Sequence, residues 1–329
     1  MSCDDIHVSE CSDEELSQAY KSTWVHRRKP TEVKSRICVQ GQTQHISDLD
    51  ETYASTPVVT TLRLILCIAL TLGLTIVLGD ISTAFLHANL RDMDSRVLMW
   101  APSEFYPTQD VLWLLKKAMY GLRTSPKDWQ EHFASTILDM GFKRLLSEPN
   151  LYVKTASMIY ILAYVDDLLI IGPEALVQKT LELLKTKFLL KITGNLNDEG
   201  SVAHFLGRQL KRVSDSILMT GTPNYYESDL AFFGLSKAKP TTMPGTSGLR
   251  RQHDGDEPVS SEEHSAFRRA VGKLQWEVPI RLDIAYSVKE LARCLTMPLK
   301  EDLTTLKHLL RWFEWMTDYM RDFTTISRR

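Results

Sequence analysis

Paired cysteines are missing from this 329-residue chain. Cys3, Cys11, Cys38, Cys67 and Cys294 stand far apart with no C-x-x-C, which argues against a disulfide framework or a cysteine zinc site and for reduced thiols inside a cell. The nine histidines form no H-x-x-x-H or H-E-x-x-H pattern, so no zinc is expected, and there is neither a P-loop nor a nucleophile elbow. A basic surplus is also missing. The net charge is −2, where phosphate binding favours basic surface. No apolar run is long enough to cross a bilayer: Leu64–Gly79 is sixteen residues without a charge, closed by Arg63 and Asp80 and broken by Gly73, against about 20 residues for a span. That stretch reads as buried core, and no membrane partner is expected. The acidic N-terminus is not a secretory signal, and there is no internal repeat or low-complexity tract.

What is present is an ordinary globular composition, 43% hydrophobic and 24% charged, long enough for more than one subdomain. The acidic balance is local. Asp4, Asp5, Glu10, Asp13, Glu14 and Glu15 give residues 1–20 a charge of −6, which leaves +4 for the remainder. Basic clusters lie at Arg27-Arg28-Lys29, Lys116-Lys117 and Lys143-Arg144. Each alone reads as a solvated face, so charge permits a nucleic-acid partner without demonstrating one.

Periodicity and punctuation predict an α+β chain. Residues 1–20 read as a polar lead-in, and Trp24–His26 and Ile37–Val39 as a hairpin about a basic turn. A buried helix is expected over 57–72, a strand over 74–80, a helical turn over 83–89, and strands at 97–100 and 111–115. Residues 125–141 predict an amphipathic helix, with Pro126 in its first turn, Gly141 at its end, and Trp129, Phe133, Ile137 and Leu138 on one face. A β-hairpin is expected over 158–171 with Asp166-Asp167 at its tip. Further on come a helix over 174–188, strands near 203–210 and 216–220, and a helix over 222–237. A Pro-, Gly- and Ser-rich linker at 239–262 precedes helices over 263–320, with Trp276, Trp312 and Trp315 in their core.

Two features carry chemistry. In YILAYVDDLLIIG (160–172) two carboxylates interrupt a hairpin that is apolar on both faces. Asp is a normal turn residue, but charge at the tip of a covered hairpin is costly unless compensated. A divalent cation would compensate it. On these residues alone, a solvated turn and a metal site stand equally open. Asp80 ends a long apolar stretch and could cap the next helix. Three carboxylates from neighbouring strands are also what two-metal phosphoryl transfer requires.

Tyr164-Val165-Asp166-Asp167 resembles the signature of reverse transcriptases. The order VKSRICVQG (33–41), DISTAFLHANL (80–90), VLWLLKKAMYGLRTSPKDWQ (111–130), AYVDDLLIIG (163–172), HFLGRQL (204–210) and FRRAVGKLQW with LDIAYSVKELAR (267–276, 282–293) is similar to the copia branch of retrotransposons, over roughly residues 23–311. The resemblance implies a right-hand polymerase fold: fingers, a palm of antiparallel sheet packed on helices, and a thumb over 21–238, then the linker and a helical connection over 263–329.

It further implies two Mg²⁺ ions, or Mn²⁺ in their place, on Asp80, Asp166 and Asp167. Phe85 matches the residue that abuts the sugar of the incoming nucleotide, where its ring would clash with a ribose 2′-hydroxyl; read alone it is core. Tyr120, Gly121, Ser125 and Pro126 match the segment beneath nucleotide and template, and Lys34 and Arg36 the strand that meets the triphosphate. Phe205-Leu206-Gly207 matches a turn that grips the primer end, and Tyr164 a neighbour of the primer terminus. Lys187 or Lys191 would protonate the departing pyrophosphate.

The implied partners are a primed RNA or DNA template, deoxynucleoside triphosphates and other parts of a retrotransposon polyprotein, in cytoplasmic virus-like particles and the nucleus. Leu282 stands where the family shows proline, and no RNase H segment follows, so a fragment or decayed copy is the expectation. The alternatives are a catalytically silent relic that binds nucleic acid, an unrelated metal-dependent transferase, and a membrane protein resting only on residues 64–79.

Overall fold

The computed structural model describes residues 2–28, 32–44, 52–90, 96–221, 225–245, 257–315 and 325–327. Lys29, the middle of the expected linker, residues 316–320 and the Trp315 side chain lie outside the described residues. The helices are α1 (Asp13–Gln18), α2 (Val59–Leu72), α3 (Ser125–Asp139), α4 (Glu174–Lys187), α5 (Glu227–Phe232), α6 (Ser261–Glu277), α7 (Ala285–Ala292) and α8 (Lys300–Trp315). The strands are β1 (Cys3–His7), β2 (Ser22–Arg28), β3 (Val33–Val39), β4 (Thr75–Ile81), β5 (Leu98–Trp100), β6 (Val111–Leu115), β7 (Lys143–Arg144), β8 (Leu151–Lys154), β9 (Ile159–Tyr164), β10 (Asp167–Gly172), β11 (Leu190–Asn195), β12 (Val202–Phe205), β13 (Arg208–Val213), β14 (Ser216–Thr220) and β15 (Thr325–Ser327). Helices stand beside antiparallel sheets, which is the α+β class. The chain divides into one unit of Met1–Val58 and Thr75–Thr193 and another of Val59–Leu74 and Gly194–Arg329.

The first unit is built on a six-stranded sheet of order β11-β4-β10-β9-β8-β7. Strands β4, β9 and β10 alternate two apolar sets. Val77, Ile81, Ile161, Ala163, Leu168 and Ile170 join a core with Trp129, Phe133 and Ile137 of α3 and Val177, Leu181 and Leu184 of α4. These helix positions recur at i, i+4 and i+7 or i+8, the spacing that lines one helix face. Leu138 was expected on the same stripe but is exposed, because it lies about 100° around the axis from Ile137. The opposite sheet face carries Ile76, Leu78, Leu162 and Leu169, also buried, and ends in Asp80 and Asp167. Both faces of these strands are therefore covered, and the carboxylates of Asp80 and Asp167 belong to the face away from α3 and α4.

The acidic opening, read as a lead-in, holds regular structure. Strand β1 pairs antiparallel with β6 in a sheet of order β1-β6-β5. Helix α1 starts with a capping box, in which the Ser12 hydroxyl accepts from Glu15 N–H and the Glu15 carboxylate accepts from Ser12 N–H. Strands β2 and β3 form the expected hairpin, longer than read, with Arg27 opposite Lys34 and Val25 opposite Arg36.

In the second unit, β12 to β15 form a four-stranded sheet, and α6, α7 and α8 share a core with Phe267, Leu274, Val288, Leu306 and Leu310. The strand expected over 203–210 is a hairpin that turns at Leu206-Gly207. Arg208 is fully buried and bonds Glu277 at 2.9 Å, with its guanidinium 4.4 Å from the Trp276 ring centroid. Trp276 was expected in the core and is instead 46% exposed, whereas Trp312 is buried and donates its indole N–H to Asp283. Asp283 also bonds Arg281 through both carboxylate oxygens, while the neighbouring Leu282 is exposed. A residue other than proline at 282 thus leaves no hole in the core.

Among the described residues, no helix is long and apolar enough to cross a membrane. The uncharged stretch 64–79 is divided between α2 and β4.

Candidate active site

The acidic cluster is assembled by strand register. β10 pairs antiparallel with both β4 and β9, placing Asp167 opposite Asp80 on one side and opposite Tyr164 on the other. The hairpin turn therefore lies at Val165-Asp166, one residue earlier than expected, and Asp167 is the first residue of a strand. Asp80 and Asp167 share a sheet face by direct cross-strand pairing. Asp166 joins them from the turn, and its carbonyl accepts from Ile81 N–H at 2.8 Å. One carboxylate oxygen from each of the three lies within 4.8 Å of the others.

This proximity has an electrostatic signature. Burial pushes the Asp166 carboxyl above its ordinary range; repulsion from Asp80 adds to this and Arg36 opposes it. Asp167 is pushed up to about 6 by burial first, then by Asp166 and Asp80. Like charges at this spacing resist ionising together. Three converging hard oxygen donors fit a magnesium-class ion, which takes carboxylate oxygens, and such an ion would relieve the repulsion.

An aromatic group adjoins the carboxylates. After Asp80 the chain turns through Thr83, in the left-handed region at φ 54°, into a short helical turn at Ala84–His87. This is tighter and shorter than the helix expected over 83–89. The Phe85 ring meets Tyr120 at 4.9 Å between centroids. The Arg36 guanidinium stands 4.9 Å from the same Tyr120 ring, within the range of a cation–π contact. Burial raises the Tyr120 hydroxyl pKa, with Asp166 and Asp80 adding and Arg36 opposing, so all four residues share one electrostatic neighbourhood. Lys34 is exposed on the same hairpin face as Arg36.

Gly121 makes the close backbone approach its residue type suits, and the neighbour is Val39. Val39 N–H donates to the Tyr120 carbonyl at 2.8 Å. A Cβ on Gly121 would lie 1.9 Å from the Val39 carbonyl oxygen at a φ of +99°. Gly121→Ala should therefore cost roughly 3 kcal/mol or more by urea denaturation; an unchanged midpoint would show that strand and loop are not locked together. Ser125 is fully buried and both donates to the Met119 carbonyl and accepts from Met119 N–H. It shapes this loop from inside, ahead of Pro126 in the first turn of α3.

Tyr164 is half-buried beside the cluster, and Lys187 and Lys191 are exposed. Phe205, Leu206 and Gly207 belong to the second unit. There Phe205 and Leu206 are buried, and Leu206 and Gly207 take φ of +52° and +67° in a tight turn. Sequence reasoning took Trp129 as core only. It is 2% exposed, and its indole N–H also donates to the Val165 carbonyl at 2.7 Å. No local sequence signal pairs positions 36 residues apart.

Known proteins resemble the chain over most of its length. Residues 11–247 match the family model described as reverse transcriptase (RNA-dependent DNA polymerase). The chain belongs to this family, in its copia-type branch. It is 31% identical over 87% of its length to the retrovirus-related Pol polyprotein from transposon RE2 of Arabidopsis thaliana, covering 19% of that protein. It is 30% identical over 90% of its length to the corresponding polyprotein from transposon TNT 1-94 of Nicotiana tabacum, covering 23%. The Ty1-NL2 Gag-Pol polyprotein of Saccharomyces cerevisiae is 24% identical over 89% of this chain. The reverse-transcriptase chain thus spans about a fifth of the length of the polyproteins RE2 and TNT 1-94.

Proposed function

We propose that this chain is the polymerase part of a retrotransposon polyprotein, adding deoxynucleotides to a primer 3′-hydroxyl on an RNA or DNA template. The observation that carries the reading is the convergence of Asp80, Asp166 and Asp167 to within 4.8 Å through β-sheet register, in a chain of the reverse-transcriptase family. On this reading the six-stranded sheet is the palm, the β2–β3 hairpin belongs to the fingers, and the second unit supplies thumb and connection. Cytoplasmic virus-like particles, with the nucleus, are where it acts.

Asp80, Asp166 and Asp167 would hold two Mg²⁺ ions, with Mn²⁺ as a substitute. When bound, these ions supply activation of the 3′-hydroxyl and neutralise charge on the departing pyrophosphate. The chain's own residues do the rest. Arg36, held over Tyr120 beside Asp166, and Lys34 next along the same strand face carry positive charge to the incoming triphosphate. Phe85, braced by Tyr120, fills the space a ribose 2′-hydroxyl would need. Tyr164 flanks the primer terminus, the 120–126 loop underlies nucleotide and template, and the Phe205–Gly207 turn grips the primer. Lys187 or Lys191 gives the pyrophosphate its proton.

Primer extension on an RNA template with Mg²⁺ and deoxynucleotides tests the whole. Incorporation is the expected result, and a folded sample that binds template yet never extends would leave a silent relic in its place.

The acidic cluster also sets a pH dependence. Asp167 holds its proton more tightly in the fold, at about 6, than in the unfolded chain, at about 3.9. The stability this proton contributes is fully present below about pH 4 and is lost as pH rises through about 6. Relative to Asp167→Asn, the metal-free protein should lose of order 1–3 kcal/mol between pH 4 and pH 7.5, with recovery on adding Mg²⁺. Parallel stability profiles for the two proteins would remove the cluster's electrostatic account.

A further inference from the structure

The turn that presents Asp166 and Asp167 is built on an unfavourable backbone. Val165 has φ +54°, a left-handed conformation in which a β-branched side chain crowds its own backbone. Val165 is 40% exposed, so close packing around it does not enforce the conformation. Strained residues of this kind persist only where the surroundings over-determine them. Two hydrogen bonds do so here. The Asp166 carbonyl accepts from Ile81 N–H on the strand that carries Asp80, and the Val165 carbonyl accepts from the Trp129 indole N–H.

Trp129 is itself held firmly. Phe133, Phe188, His87 and His132 surround its ring with centroids 5.5–6.1 Å away. Its plane, and hence the direction of its N–H, is fixed by packing within the core that α3 and α4 share with the sheet. A core tryptophan needs some acceptor for its N–H. This one takes a carbonyl of the single strained residue in the aspartate turn.

We propose that Trp129 is a positioning residue, whose indole N–H holds the Val165 carbonyl and thereby keeps Asp166 and Asp167 aimed at the centre they share with Asp80. The proposal rests on the polymerase reading for its consequence in catalysis, but its geometric claim concerns metal affinity as well. Replacing the N–H while keeping an aromatic ring releases the turn, and the carboxylates spread over more orientations. Placing glycine at 165 removes the left-handed penalty, so the turn no longer depends on the clamp.

The test is a double-mutant cycle of Trp129→Phe and Val165→Gly. It is read by Mn²⁺ titration followed by electron paramagnetic resonance without substrate, and by single-turnover extension. Trp129→Phe should weaken Mn²⁺ binding by about 3- to 10-fold and slow extension by about 10-fold, with KM for deoxynucleotide little changed, in keeping with loss of an outer-shell support. In the Val165→Gly background the same substitution should change either quantity by less than about 2-fold, the coupling that such a cycle isolates.

Equal effects in both backgrounds, or a lowered melting temperature with Mn²⁺ affinity and rate unchanged, would make Trp129 a packing residue and overturn the proposal. Should Trp129→Phe fail to fold, benzothienylalanine at 129 keeps the bicyclic shape without the donor and must give the same losses. If the wild-type protein binds Mn²⁺ but never extends a primer, the polymerase reading fails, while the Mn²⁺ arm still judges Trp129.

Discussion

Asp166→Asn will reduce primer extension by about 10³-fold or more while making the metal-free protein harder to melt at pH 7.5. The two effects share a cause. Asp166 is half-buried with its carboxyl pKa raised by burial and by Asp80, so in the absence of a cation its charge is a burden on the fold. Asn keeps the shape and removes the charge, relieving the turn and Asp167 together. A gain of a few degrees in melting temperature would follow from a relief of about 1 kcal/mol in a domain of this size. On the proposed two-ion reading function moves the other way, because a neutral amide would not share in holding the divalent ions. Loss of even one fixed electrostatic contact to a reacting centre costs 10²–10³ in rate, or roughly 3–4 kcal/mol. Single-turnover extension measured beside a metal-free melting curve reads both quantities. A variant that loses stability and activity together would point to simple unfolding. One that retains activity within tenfold would remove Asp166 from the metal centre.

The aspartates were legible because their chemistry conflicts with their surroundings. A carboxylate pair inside YILAYVDDLLIIG and a lone carboxylate closing Leu64–Gly79 need an explanation, and strand register supplies the missing step by setting Asp80 opposite Asp167. The place of the turn was not legible. Asp is the better turn former by composition, and a valine at φ +54° contradicts its own propensity; tertiary hydrogen bonds from Ile81 and Trp129 override it.

Strand β1 escaped notice for a different reason. CDDIH has little burial, and its order comes from pairing with β6, more than a hundred residues away. Helix α1 was missed within the same lead-in, although Ser12 and Glu15 spell a capping box. Buried Arg208 and exposed Trp276 reverse what their residue types lead one to expect. They are one arrangement, in which the indole covers a guanidinium whose charge Glu277 balances. Only the tertiary fold joins positions so far apart. Phe85 sits between these cases: read alone it is core, and it is partly buried and packed against the core cluster.

Phe85→Val gives the second large effect. The Phe85 ring is braced by Tyr120 at 4.9 Å, and Tyr120 lies in the field of both Asp80 and Asp166, so the ring adjoins the place where a nucleotide sugar must sit if the aspartates hold its metal ions. A ribonucleotide adds one hydroxyl to that sugar. A rigid, braced ring resists the extra volume with a penalty of about 1–3 kcal/mol, which amounts to roughly 10- to 10²-fold in selectivity. Valine withdraws most of the ring and opens that volume. Discrimination between dCTP and CTP, measured as the ratio of kcat/KM on one primer–template, should therefore fall by about 10²-fold at most, through a gain for CTP with little loss for dCTP. Tyr120→Ala, which leaves Phe85 in place but unbraced, should relax selectivity by a smaller factor in the same direction. Were Phe85→Val to extend with dCTP normally and still reject CTP as before, the sugar would lie elsewhere, and Phe85 would be core and nothing more.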